Sequence, residues 1–407
     1  MTSPSFFLLC CSAISLTVWI FLTLFRGDFW KTRHFIALKG PAPKLGTLPS
    51  VAVIIPARNE AELIPRTLPS ILNQDYKGST TVILVDDQST DGTSEVCRIT
   101  ATTGKRNQSI KFKLIRSREL PSGWSGKLWA MECGLRTISE MKPDYILFTD
   151  ADILHPDNSL SRLVAEAETE SLQLSSVMVH LKICSLWDRL LLPAFIYFFA
   201  KLYPFAWTND PSKRTAGAAG GCILVRREAL EKAGGLFRIS GELIDDCAMA
   251  KMIKGQTGNL SASKIKLQLC REIHSLRPCQ SLESTWSMVR RTAFTQLGYS
   301  VLLLAGTLIG MILIYVLPPL LTLGPLFYPV YSSSWHLTTA WFLGLSAWIM
   351  MSLTYRPMVR WYHLPSWWCL TLPIAGFMYA MMTLDSALKT WQKNTGEWKG
   401  RTYSSKT

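Results

Sequence analysis

The feature that most limits how this chain can fold lies in its first 25 residues. Residues 6–25 carry no charged side chain. As a helix, 20 such residues are long enough to cross the roughly 30 Å hydrocarbon core of a bilayer. No basic stretch precedes the run and no A-x-A cleavage site follows it, so it reads as an anchor rather than a signal peptide. Arg26, Lys31 and Arg33 come directly after it. By the positive-inside rule, the N-terminus is then outside and the next part of the chain cytoplasmic. The next long apolar runs come after residue 298, at 300–318 (continuing to 330), 337–353 and 367–382. The loop with Arg356, Arg360 and His363 is expected on the cytoplasmic side. The tail after Asp385 is basic too, so either it lies outside or one of the last segments is a hairpin or interfacial. Residues 186–207 are apolar and aromatic but are interrupted by Asp188, Arg189, Lys201 and two prolines. That pattern predicts an amphipathic segment on the membrane face rather than a span.

Composition agrees. Charged residues make up 18% of the 407 and hydrophobic residues 48%. Soluble domains usually carry about 25% charge, which argues against a wholly soluble chain, and a disordered one is ruled out because it would show the opposite imbalance. The formal net charge of +14 suits anionic lipid or an acidic substrate. No recognition helix, zinc finger or aromatic-interleaved basic strand points to nucleic acid. The ten cysteines form no C-x-x-C pair, which argues against zinc, and they are expected as reduced thiols.

Residues 48–298 alternate strand and helix patterns. Strands are expected at 51–55, 82–85, 111–115 and 145–148, with helices near 60–73, 93–102 and 127–138. This alternation predicts an α/β fold with a mostly parallel sheet covered on both faces. Ligands of such sheets bind beyond the carboxyl ends of the strands. There the first strand continues into Pro56-Ala-Arg58-Asn-Glu60, the second into Asp86-Asp87, and the fourth into Asp150-x-Asp152. So many carboxylates on one rim call for a cation to relieve their repulsion. Asp150 and Asp152, at a strand end where the chain turns, can share one Mg2+ or Mn2+ with phosphate oxygens, and His155 is near enough to be a further ligand. Asp86-Asp87 can hold a nucleobase or ribose, although Ser89 or Asp91 also fits a helix cap. Lys127, at a helix start after Gly-Trp-Ser-Gly, can reach a phosphate. Gly220 and Gly221 end a run of small residues that leaves room for a ligand or for tight packing. Asp245 and Asp246 open a helix as caps or as a general base. Arg290 and Arg291 can hold phosphates or lipid head groups.

Taken together, Asp86-Asp87-x-Ser-x-Asp-x-Thr93, Gly126-Lys127, Thr149-Asp-Ala-Asp152, Gly220-Gly221 and Asp245-Asp246 resemble a family 2 glycosyltransferase with the GT-A fold. Pro121-Ser-Gly-Trp-Ser-Gly-Lys127 and Trp398-Lys-Gly-Arg401 resemble the hopanoid-biosynthesis-associated members, and more distantly the transferases that glycosylate carotenoids or ceramide. The resemblance implies inverting transfer from a nucleotide-diphospho-sugar. Asp86 and Asp87 would hold the nucleoside, and Asp150 and Asp152 the metal and diphosphate. Asp246, three before Met249 as in an E-D-x-x-L pattern, would be the base, with Asp245 where Glu is usual. The Q-x-x-R-W element of processive synthases is absent; the stretch reads Trp286-Ser-Met-Val-Arg-Arg-Thr292, which favours transfer of a single sugar. The expected organisation is an anchor at 1–47, a catalytic domain at 48–298, transmembrane segments at 299–385 and a basic tail at 386–407. The expected setting is the plasma membrane, with the catalytic domain facing the cytoplasm and a lipid or isoprenoid acceptor drawn from the bilayer. A polysaccharide synthase and a non-catalytic transporter or scaffold are the competing readings.

Overall fold

The computed structural model describes residues 4–392 except 39, 41, 42, 44, 104–106, 256–263, 278–280 and 327–333, together with the backbone of 397, 398, 401 and 402. Its contacts divide the chain into two units: one comprises Met1–Arg33, Ile183–Pro204 and Cys279–Asn394, the other His34–Lys182, Phe205–Pro278 and Thr395–Thr407. The sequence reading expected one continuous catalytic block over 48–298. Instead, 183–204 and the stretch from 279 pack with the apolar helices.

The second unit is built on an eight-stranded sheet. Its strands are β1 (Val51–Ala57), β2 (Thr80–Asp86), β3 (Ile110–Arg116), β4 (Tyr145–Thr149), β5 (Ile153–Leu154), β6 (Leu174–Leu181), β7 (Cys222–Arg226) and β8 (Ile265–Ser275), in the spatial order β3-β2-β1-β4-β7-β6-β8-β5. The first four pair in parallel. β7 runs antiparallel to both β4 and β6, and β5 runs antiparallel to β8. β1 and β2 are buried along their whole length, as their unbroken apolar sequence requires of strands covered on both faces. One apolar cluster lies under the helices Ile64–Leu72 and Ser159–Thr169, the other under Gly126–Thr137 and Asp245–Lys254. The expected α/β sheet is present, with antiparallel strands on one side. β5, β6, β7 and β8, outside the strands expected from the sequence, complete it.

The parallel pairing puts the carboxyl ends of β1, β2 and β4 on one rim. β7 is antiparallel, so its start, preceded by Gly220-Gly221, meets the same rim.

Among the described residues of the first unit, four helices are long and apolar enough to cross a membrane: Pro4–Phe25, Val301–Leu326, Trp335–Trp361 and Ser366–Trp391. The helix Leu186–Leu202 belongs with them. Its middle is buried, including Leu191, Ala194, Ile196 and Tyr197, while Leu186, Trp187 and Leu202 at its ends are exposed. Ser185 and Asp188 close its start as a capping box. Within this unit Tyr197 and Thr354 share a hydroxyl–hydroxyl bond, and the Tyr379 hydroxyl donates to the Leu191 carbonyl. The segment therefore packs along its middle against other helices of this unit. Cys184 is disulfide-bonded, which corrects the expectation of uniformly reduced thiols; Cys279 lies outside the described residues.

The helix Val301–Leu326 holds a π turn at Ile312–Val316, directly before Pro318 and Pro319. The Ile314 carbonyl would meet residue 318 in an α-helix and residue 319 in a π-helix, and neither proline has an N–H. The Trp19 indole N–H donates to this carbonyl at 2.9 Å, and Trp19 is wholly buried. In hydrocarbon every backbone acceptor needs such a partner. Trp19→Phe keeps an aromatic side chain but removes the indole N–H, with part of the ring, and orphans the carbonyl, so it should lower unfolding stability in detergent by at least about 0.5–2 kcal/mol. An unchanged denaturation midpoint would mean that the bond carries nothing.

Candidate active site

The sharpest local arrangement on the rim is built around one ammonium. Lys127 sits in the first turn of the helix Gly126–Thr137. Gly123, at a φ of 81°, turns the preceding loop, and Trp124 packs edge-on to Trp129. The Ser125 N–H donates to the Ser240 carbonyl. So placed, Lys127 Nζ lies 2.8 Å from Asp150 Oδ1 and 3.6 Å from Asp245 Oδ2. Burial works against its charge, but Asp150, Asp245 and Asp246 outweigh it and hold the pKa above the usual lysine value.

Asp245 and Asp246 open the helix Asp245–Lys254, where the backbone N–H groups favour negative charge. Asp246 Oδ1 accepts from the Cys247 N–H at 2.7 Å. Burial and then the neighbouring Asp245 raise the Asp246 pKa to about 7, with Lys127 pulling the other way. A Cβ on Gly220 would lie 3.2 Å from Lys127 Nζ and 3.4 Å from Asp246 Oδ2, so glycine leaves the room both groups use. At Gly221 a Cβ would press on Val179 instead, which makes its small size a packing need.

The strand-end pair Asp150 and Asp152 has two cations beside it. Arg277 Nε stands 3.0 Å from Asp152 Oδ2, which also accepts from the Ser275 hydroxyl at 2.6 Å. Asp152, Asp150 and Glu60 raise the Arg277 pKa. Burial raises the Asp150 pKa, and Asp152 adds to that while Lys127 opposes it. The bonds described for Asp150 and Asp152 use one oxygen of each carboxylate. Two hard oxygens are thereby left for a divalent cation. Among the described residues no cluster of three or more His, Cys, Asp or Glu forms a self-contained metal centre. The donor set therefore fits Mg2+ or Mn2+ completed by phosphate oxygens and water.

His155 does not join that set. It is buried, with Nε2 2.9 Å from Thr149 Oγ1 and Nδ1 3.3 Å from Ser159 Oγ. The Thr149 hydroxyl donates to the Gly221 carbonyl. Burial drops the imidazole pKa to about 3, so the ring stays neutral. Its place is behind the Asp150–Asp152 turn, where both ring nitrogens are engaged, and this corrects the expectation that it is a ligand.

At the ends of β1 and β2, Asp86 and Asp87 are both buried. Asp86 accepts from the Ser89 N–H and from the Ser94 hydroxyl. Asp91, rather than Ser89, caps the following helix by accepting from the Thr93 N–H at 3.0 Å. Asp87 accepts from the Ser117 hydroxyl at 2.7 Å, and Arg58 Nη1 donates to its main-chain carbonyl at 2.6 Å. The Glu60 N–H donates to Thr93 Oγ1, and Pro56 pairs with Val85 inside the sheet. Because β1 separates β2 from β4, Asp87 and Asp150 lie roughly 10 Å apart along the rim, about the span from a nucleoside to its diphosphate. Arg290 and Arg291 are on the helix Leu282–Gln296 of the other unit, where Arg290 lies 3.4 Å from Asp385.

Arg277, Ser275 and Lys254 were not singled out by sequence. Arg277 follows β8, whose alternation of Ile265, Leu267 and Leu269 with Lys266 and Gln268 is a strand signal, but no motif marks the arginine. Lys254 ends the helix that Asp245 begins. Its buried ammonium donates to the carbonyls of Trp207, Thr208, Asp210 and Thr215 at 2.7–3.1 Å. It thus ties the loop leading to Gly220 to the helix bearing the two aspartates.

This sheet has the GT-A-like fold, with the acidic rim described above at the carboxyl ends of its strands. Residues 52–234 match the family described as Glycosyl transferase family 2. Among curated relatives, "4,4'-diaponeurosporenoate glycosyltransferase" of Staphylococcus haemolyticus (strain JCSC1435) is 28% identical over 145 residues, 35% of each chain. "Probable glycosyltransferase YdaM" of Bacillus subtilis (strain 168) is 30% identical over 144 residues, 33% of this chain and 31% of that one. The chain thus spans about a third of the length of these relatives. The fold is similar to that of a solved structure titled mannosyltransferase PcManGT from Pyrobaculum calidifontis in complex with GDP-Man and Mn2+. Its TM-score is 0.57 at 20% identity, over 95% of this chain and 99% of that one.

Lys254→Met should orphan several buried carbonyls and cost about 2–4 kcal/mol. Hydrogen exchange in 207–221 should speed up, and unchanged exchange there would show that the tether is unimportant.

Proposed function

We propose that this chain is an inverting, metal-dependent membrane glycosyltransferase that moves one sugar from a nucleotide-diphospho-sugar to a hydroxyl of a lipid or isoprenoid acceptor, hopanoid-like in class. The observation that carries the reading is Asp246: a half-buried carboxylate with its pKa raised to about 7, beside a glycine that leaves space and a lysine bound to the strand-end aspartate. A carboxylate so tuned takes a proton near neutral pH. Asp86, Asp87, Arg58 and Glu60 would line the nucleoside end, and Asp150 with Asp152 would hold Mg2+ or Mn2+ at the diphosphate. Bound there, the cation supplies neutralisation of the charge that builds on the leaving diphosphate. Asp246 accepts the proton of the acceptor hydroxyl as that oxygen bonds to the anomeric carbon. The carbon–oxygen bond to the diphosphate breaks on the opposite face, through an oxocarbenium-like transition state. Lys127 keeps positive charge beside both ends of the reaction.

The lipid acceptor rests on the four apolar helices and on the relative whose name gives 4,4'-diaponeurosporenoate as what it glycosylates. The nucleotide-sugar and metal rest on the family match and on the donor set described above. Arg26, Lys31 and Arg33 after the first helix favour a cytoplasm-facing catalytic unit.

Asp246→Asn should lower kcat at least a thousandfold and leave the protein folded. Radiolabelled transfer from UDP- or GDP-sugars into extracted lipid measures this, and full activity of the variant removes Asp246 from the mechanism. In the unaltered protein, a carboxyl protonated below about pH 7 cannot act as a base, so kcat/KM should rise as pH passes through about 7 and level above it. A pH-independent rate between 5.5 and 8.5 would contradict the assignment. With only two protein carboxylates at the metal, Mn2+ alone should bind weakly, and a nucleoside diphosphate should tighten it at least tenfold in calorimetry. Asp152→Asn should abolish that coupling. Tight Mn2+ binding without nucleotide would point to a different metal centre.

A further inference from the structure

The membrane unit contains a cation that the proposed reaction does not use. Lys201 lies in the last turn of the helix Leu186–Leu202. Its Nζ donates to the Tyr315 hydroxyl at 2.8 Å and stands 4.9 Å from the Tyr315 ring centroid and 5.3 Å from that of Phe198. Among the described residues no carboxylate forms an ion pair with it. The one charged group that bears on it is another cation, Arg26. Arg26 Nε donates to the Lys201 carbonyl at 3.0 Å, and its Nη2 to the Leu202 carbonyl at 3.3 Å. Two positive charges thus share one helix end beside the finish of the apolar helix Pro4–Phe25.

The aromatic half of this arrangement is rigid. Tyr315 belongs to the π turn Ile312–Val316 and is wholly buried, with Trp19 and Phe198 packed edge-on against it at 5.5 and 5.4 Å. The same Trp19 anchors the Ile314 carbonyl. The Tyr315 hydroxyl is therefore fixed where Lys201 meets it, and one of the three ammonium donors is used. The other two have no acceptor among the described residues.

An ammonium among apolar helices without a counter-ion is expensive, and such groups mark ligand sites. The ligand that fits two adjacent cations, one of them a guanidinium, is a phosphate. Phe21, Leu24, Phe25 and Leu202 at the same helix ends are exposed and apolar, as a surface beside acyl or prenyl chains would be. We propose that Lys201 and Arg26, with the Tyr315 hydroxyl, form a binding site for the phosphate of an anionic lipid. Its phosphate takes the two remaining Lys201 donors, and its chains follow the end of the first helix. The site rests on the membrane unit alone and stands whether or not the glycosyl transfer above is correct.

Native mass spectrometry of the full chain released from nanodiscs tests this. In nanodiscs of phosphatidylcholine with one-fifth phosphatidylglycerol, the unaltered protein should retain phosphatidylglycerol at least tenfold over its bulk share. Lys201→Met should reduce that enrichment to near unity, and Lys201→Arg should preserve it. Tyr315→Phe, which keeps the ring and both cations, should weaken it about threefold, and it serves as the reporter if Lys201→Met does not fold. Adding a polyprenyl phosphate distinguishes the source: stoichiometric displacement of phosphatidylglycerol identifies a lipid-phosphate acceptor, and continued retention identifies a resident phospholipid. Both support the site. Displacement by millimolar inorganic phosphate alone would overturn the lipid assignment. Equal enrichment in the unaltered protein and in Lys201→Met, or in Tyr315→Phe where that variant is the reporter, would overturn the site itself.

Discussion

The arrangement of the candidate site depends on one ammonium held between carboxylates from two distant stretches of chain. Lys127 touches Asp150 after β4 and Asp245 at the head of a helix almost a hundred residues later. Without a cation there, Asp150, Asp152, Asp245 and Asp246 would crowd like charge into a buried rim. Lys127 and Arg277 offset half of that charge, and Asp246 is the carboxylate that burial and Asp245 push toward neutral pH. The lysine offsets charge in the cluster, while burial and Asp245, against the pull of Lys127, set Asp246 apart as the carboxylate best suited to take a proton. Gly220 is the steric counterpart, because a methyl group at that position would press on both Lys127 and Asp246.

The membrane unit obeys a different accounting, that of backbone groups with no water to receive them. Two consecutive prolines strip the Ile314 carbonyl of both helical donors, and an indole almost three hundred residues away in sequence replaces them. The π turn this creates fixes Tyr315, and Tyr315 in turn fixes the ammonium of Lys201. A defect in one helix thus becomes a polar site in an apolar bundle.

Much of this was legible from sequence, for identifiable reasons. β1, β2 and β4 are unbroken apolar runs followed at once by polar residues, so both the strands and their functional ends stood out. The acidic pairs could be assigned to one rim because parallel strands put their carboxyl ends together. What escaped depended on partners brought from elsewhere. His155 looked like a ligand by proximity along the chain, yet Thr149 and Ser159 occupy both its nitrogens. Arg277 and Lys254 have no motif, because their roles come from what the fold sets beside them. The partners of the charges in the helix Leu186–Leu202 were not legible either: Asp188 caps the helix start and Lys201 is met by Tyr315.

The central claim is that the rim aspartates gather on a divalent ion that grips a nucleotide diphosphate. Crystals grown with Mn2+ and a nucleoside diphosphate, measured at the manganese edge, test it most directly. The account predicts an anomalous peak about 2.2 Å from oxygens of both Asp150 and Asp152, with the diphosphate on its far side and the base toward Asp87. A peak bound by other residues, or a nucleotide seated away from this rim, would contradict it.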